Sequence, residues 1–144
     1  RQMCIRDSPM TAREANDKGY RIGNHSFEED GYEVTYPDGY KSWSPAKEFE
    51  KVYYKLEDPA GDVLKENDIK RFIKGIENVK VGTKTTNTTL TCLTGFEVHG
   101  QASCVKPENF NLEIGAGYAQ TEAKNKIWEG LGFVLQWAKY GLKK

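Results

Sequence analysis

The chain has 144 residues, 38% of them hydrophobic and 29% charged, enough for one compact domain or a small module joined to a larger one, and its composition is neither disordered nor collagenous. Lys plus Arg and Asp plus Glu number 21 each, which removes the strongly basic field of sequence-independent nucleic-acid binding. No apolar run reaches the length of a membrane span or forms a signal-peptide core at the start, so the expected location is the cytoplasm in which the protein is made, away from membrane.

Arg1 to Ser8 reads like translated sequencing adapter, and Met10 followed by Thr11-Ala12-Arg13 is a better natural start. Residues 1–9 are therefore expected to be a non-native leader outside the fold, the competing reading being a native coil. From Gly31, the apolar positions Tyr32, Val34 and Tyr36 alternate with polar ones until Pro37-Asp38-Gly39 supplies turn chemistry, which predicts a β-hairpin returning through Tyr40-Lys41-Ser42-Trp43. Ser44 is placed to cap a helix and Pro45 to open it, with the helix running to about Leu56. Phe49, Val52, Tyr53 and Leu56 then fall on one face, ready to close over Tyr32, Val34 and Trp43. The result is a ββα module over residues 10–57. Its cassette Asp38-Gly39-Tyr40-Lys41-Ser42-Trp43-Ser44-Pro45, with Phe49 and Tyr53, resembles a small module of phage accessory proteins.

Residues 58–65 carry turn formers and acids and read as a linker. Beyond it, Ile69, Phe72, Ile73 and Ile76 repeat at helical spacing, with Asn67 or Asp68 available as a cap. Val79 and Val81 alternate, Lys84 to Leu93 is Thr-rich and favours extended structure, and Thr94-Gly95 leads into a returning strand from Phe96 to Cys104. That turn would set Cys92 across from Glu97. From Leu112 to Trp128, Ala119, Ala123 and Ile127 recur every four residues, small side chains that permit close approach. Gly130 and Gly132 weaken the helix, yet Leu131, Leu135 and Ala138 continue the stripe, so a second or kinked helix to Leu142 is expected.

No catalytic motif is visible, and no cofactor or metal is called for. The two histidines, His25 and His99, supply neither a metal-ligand spacing nor a nucleophile with its base, and the three cysteines lack any Cys-x-x-Cys pair. Cys92 and Cys104 read as small buried strand residues.

The run Gly95-Phe96-Glu97-Val98-His99-Gly100, then Ser103-Cys104-Val105-Lys106-Pro107-Glu108-Asn109-Phe110, then the Ala-rich helix ending in Lys126-Ile127-Trp128, resembles the phage N4 gp49/Sf6 gene 66 family over roughly the last third of the chain. The family pattern has Asn-Gly where this chain has Thr94-Gly95. Some phage proteins of this general type sequester the cyclic ADP-ribose messenger of the Thoeris immune system, and the resemblance implies such an anti-defence function, without cleavage. A sponge for such a messenger needs cations for the pyrophosphate, an aromatic surface for the adenine and hydrogen-bonding groups for the riboses. Candidates are Arg71, Lys74, Lys124 and Lys126 for charge, Phe96, Phe110 and Trp128 for stacking, and Asn109 and Gln120 for polar readout. Each has a plainer role as well: the aromatics as core, Lys124 and Lys126 as a solvated face, and Asn109 as a cap or turn residue. The similar sponges hold phosphate with paired arginines on the long helix, where this chain has only lysines, which lack the bidentate fork.

The reading is an α+β chain: an N-terminal ββα module, then a domain over 66–144 with a helix, an antiparallel β-hairpin sheet and a long C-terminal helical segment. It acts on a cyclic nucleotide or, alternatively, as a non-enzymatic accessory protein contacting other proteins through Tyr32, Tyr36 and Tyr40. A homo-oligomer is expected to bury the apolar stripe left over.

Overall fold

The computed structural model describes residues 6–143, so Cys4 and the rest of the first five positions lie outside it. The chain is α+β, with two three-stranded antiparallel sheets, each ordered along the sheet as along the chain. It divides into two compact units, one drawn from 1–55 and 136–144, the other from 56–135. The expected second domain ran unbroken from 66 to 144; here the last stretch of the long helix groups with the first unit instead.

In the first unit, β1 (Arg6–Pro9) pairs with β2 (Gly31–Thr35), and β2 with β3 (Lys41–Pro45). The expectation that residues before Met10 stand outside the fold is corrected for Arg6–Pro9, which form an edge strand along β2. A short helix absent from the expectation, α1 (Ala12–Asp17), follows with Thr11 as its cap, the hydroxyl accepting from the Glu14 amide at 3.3 Å. The β2–β3 turn carries Gly39 at φ 91° with its amide bonded to the Tyr36 carbonyl, a one-residue-longer version of the tight turn.

The two faces of this sheet separate residues that the sequence pattern grouped together. Trp43 pairs with Glu33, and Val34 with Ser42, so Trp43 points to the face opposite Tyr32 and Val34. On its own face Trp43 is buried with Met10, Ala12 and Ala15, and its indole N–H donates to the Met10 carbonyl at 2.8 Å. Gly31 is required beneath it, since a Cβ there would lie 2.5 Å from the indole. On the other face Phe49 of α2 (Ala46–Val52) stacks on Tyr32 and Tyr53, ring centroids 4.5 and 4.7 Å away. The helix is one turn shorter than expected, Ser44 makes no cap bond to it, and Val52 at its end is 58% exposed.

In the second unit the linker is an ordered loop wrapped around Asp58, whose carboxylate accepts from the Ala60, Asp62 and Val63 amides. Helix α3 (Glu66–Phe72) is capped by neither Asn67 nor Asp68 as N-cap; Lys65 holds that position and Asp68 reaches back to its amide at 2.9 Å. Ile73 and Ile76 belong to β4 (Ile73–Val81), not to the helix, and Ile76 is 51% exposed. Their spacing fits either structure, and pairing with β5 (Thr85–Cys92) decides for the strand.

β5 is central, and alternate residues Thr86, Thr88, Leu90 and Cys92 are buried. Its turn to β6 (Glu97–Ser103) spans Leu93 to Gly95, with Gly95 at φ 89°, so Glu97 faces Thr91 and the expected Cys92–Glu97 pairing is shifted by one. Helix α4 (Leu112–Tyr140) is one continuous helix, with no break at Gly130 or Gly132, and Asn111 caps it by accepting from the Ile114 amide at 3.0 Å. Ala116, Ala119, Ala123 and Ile127 form its buried stripe. Gly100 of β6 lies against this stripe: a Cβ there would sit 2.0 Å from the Ala119 carbonyl oxygen. The core joins Ile69, Leu90, Cys92, Val98, Ala123 and Ile127.

Candidate ligand groove between two helices

On α4, Thr121, Lys124, Asn125 and Trp128 recur at i, i+3, i+4 and i+7, one helical face beside the buried alanine stripe. On α3, Glu66, Ile69 and Lys70 share a face in the same way. The two faces meet in a shallow groove of about 250 Å³. Ile69, 1% exposed, is fixed in the core, and the half-buried Trp128 packs against the same cluster, so the aromatic wall is held from behind. Lys124 is half-buried in the wall, and Lys70 forms an ion pair with Glu66 at 3.5 Å. The groove thus offers two ammonium groups, an indole, a hydroxyl, a carboxamide and one paired carboxylate.

Of the residues proposed for a ligand, this groove gathers Lys124 and Trp128. The others are dispersed. Lys126, two positions from Lys124, is turned to a different face of α4 and donates to the His99 carbonyl of β6. Arg71 lies on the side of α3 away from the groove and pairs with Asp68 at 2.7 Å. Lys74 is on β4, not on the helix. Gln120 donates to Asn78 at 3.4 Å. Phe110 carries the Lys80 ammonium 4.6 Å from its ring, and Asn109 sits exposed in the 3-10 turn Pro107–Asn109. Phe96 is 70% exposed beside the β5–β6 turn, so it is not core. Glu66, Lys70, Thr121 and Asn125 were missed; the polar i, i+3, i+4, i+7 row ending in Trp128 was the available signal.

Asp68 is the most enclosed carboxylate here, with no exposed surface. Burial pushes it up, but the Lys65 and Glu57 amides, at 2.9 and 2.8 Å, and the Arg71 guanidinium outweigh burial and hold it below the ordinary aspartate range. It ties the linker to α3 and does not face the groove. Burial pushes the Cys92 thiol up, which disfavours the nucleophilic thiolate, and Cys92 and Cys104 are both free. The His99 ring, on the sheet face away from α4, lies 3.0 Å from the Thr89 hydroxyl. Among the described residues no cluster of His, Cys, Asp and Glu could hold a metal ion, and no helix is long and apolar enough to cross a membrane.

These features define a small α+β protein in which a long helix lies over a three-stranded sheet and forms a polar groove with a shorter helix. The model of the Phage protein (N4 Gp49/phage Sf6 gene 66) family matches residues 64–138, more than half of the chain, and the chain belongs to that family. The match takes in every groove residue. No curated protein matches the chain, and neither does any solved structure.

Proposed function

We propose that this member of a phage protein family sequesters a cyclic nucleotide immune messenger of the cyclic ADP-ribose type in the cytoplasm of the host bacterium, and does so without cleaving it. The observation that carries this reading is the convergence of Trp128, Lys124 and Lys70 on one groove. An indole face stabilises a stacked base by about 1–3 kcal/mol. Lys124 supplies countercharge for a pyrophosphate, joined by Lys70 when it exchanges its Glu66 partner for phosphate, both as point charges rather than guanidinium forks. Thr121 and Asn125 supply hydrogen bonds for ribose hydroxyls. At about 250 Å³ the groove is smaller than the ~300–1,000 Å³ usual for a whole drug-sized ligand, so it seats one end of the messenger. Cleavage would need a free general base, and the one carboxylate in the groove, Glu66, is paired with Lys70.

Incubating the protein with a panel of cyclic nucleotides, removing it, then denaturing it and analysing what is released tests this directly. Intact recovery of a depleted nucleotide is the expected result. An altered product makes the protein an enzyme, and no depletion removes the small-molecule reading.

A second reading, an accessory protein acting through protein contacts, draws on the β2–β3 hairpin. Tyr40 is 64% exposed and stacks on Tyr36 at 5.9 Å. Tyr32, by contrast, is engaged with Glu50 at 2.7 Å and contributes less to such a surface.

A further inference from the structure

We infer that the outer edge of β4 is a pairing site for β4 of a second copy of this chain, joining two three-stranded sheets into one of six strands. The backbone register identifies the open groups. The Cys92 amide bonds to the Phe96 carbonyl and the Cys104 amide to the Lys84 carbonyl, which makes Thr86, Thr88 and Leu90 the residues that exchange bonds with β6. Thr85, Asn87, Thr89 and Thr91 therefore turn their backbone groups to β4, where they meet Val81, Val79, Glu77 and Gly75. Ile76, Asn78 and Lys80 are left with backbone amides and carbonyls directed outward, and among the described residues no hydrogen bond reaches those backbone groups.

The other edge of the same sheet is treated differently. On β6 the outward carbonyl of His99 receives Lys126, and the outward amide of Gln101 donates to Glu122 at 3.4 Å. One helix thus guards β6 with two side chains a single turn apart. β4 has no such guard, although it is the longest strand, with nine residues. Its apolar side chains are open too: Ile76 is 51% exposed, Val79 39% and Val81 47%. Lys80, the charge best placed to repel another strand, is drawn back over Phe110.

A second copy fits this edge by charge and by shape. Two antiparallel copies of one strand are related by an axis normal to the sheet, so facing residues lie on the same side. With Glu77 on the axis, Glu77 would face itself, which like-charge repulsion disfavours. With Val79 on the axis, Val79 faces Val79, Glu77 faces Val81 and Asn78 faces Lys80. No like charges meet, and the exposed Val79 closes on its own copy at the axis.

The test uses the full chain. Sedimentation across micromolar to near-millimolar concentration is expected to show a monomer–dimer equilibrium. Hydrogen exchange over the same range is expected to show the Asn78 and Lys80 amides becoming protected as the dimer forms. Lys80→Pro removes an outward amide that has no partner within the chain, so the fold should persist while the dimer dissociation constant rises about tenfold or more. A wild type that stays monomeric throughout, or a dimer whose formation leaves those two amides unprotected, overturns the inference even if the proline variant fails to fold.

Discussion

The ammonium of Lys126 donates to the backbone carbonyl of His99, 27 positions earlier in the chain, so a cation that looks free in the sequence is committed to the edge of β6. One helical turn away, Glu122 accepts from the Gln101 amide on the same edge. The pair occupies outward backbone groups along one edge of the sheet.

Lys126→Gln and Lys124→Gln should therefore behave differently. Loss of the Lys126 bond, which is solvent-exposed, is expected to cost about 0.5–1 kcal/mol in urea denaturation and to leave nucleotide affinity unchanged. Lys124→Gln should leave the fold within about 0.5 kcal/mol and weaken nucleotide binding by calorimetry. Equal affinity in wild type and Lys124→Gln would move the site out of the α3–α4 groove.

Trp128 is half-buried against the core, so Trp128→Ala should destabilise by about 3 kcal/mol, the low end for loss of a large aromatic. Trp128→Phe keeps a ring and should recover most of the stability. If the indole stacks on the base, its fluorescence should change on nucleotide addition, and a silent titration under binding conditions would remove it from the site.

Gly100→Ala should be more damaging than its size implies. The added Cβ would lie 2.0 Å from the Ala119 carbonyl oxygen and 2.7 Å from the Ala123 nitrogen, and neither backbone can yield as a side chain would. We expect a loss of about 3 kcal/mol or more, read as a lower thermal midpoint, whereas Gly117→Ala, with open space around it, should be neutral or mildly stabilising.

Asp68 sets a limb of the acid dependence. Its folded carboxyl is held below the ordinary value of about 3.9, so it contributes stability that is fully present above that pH and is lost as pH falls through the folded value. Stability should decline on acidification in that window. Asp68→Asn should cost about 1.5–3 kcal/mol near neutrality and flatten this part of the profile, and an unchanged acid limb would assign it to other carboxylates.

What the chain determines by itself is local and periodic. The alanine stripe of α4, the Thr-rich extended run that becomes β5 and the glycine-bearing turns at Gly39 and Gly95 were all legible, because each depends on neighbours within a few residues. So was family membership, carried by contiguous motifs around Pro107 and Trp128. Tertiary structure decided what depends on partners far along the chain. Ile73 and Ile76 suit a helix or a strand equally, and only β5 alongside them makes the strand. Trp43 appeared to belong with Phe49, but cross-strand pairing with Glu33 put it on the other face with α1. Nine candidate ligand residues looked like one set in sequence, yet the 100° step of a helix sent Lys124 into the groove and Lys126 to the edge of β6.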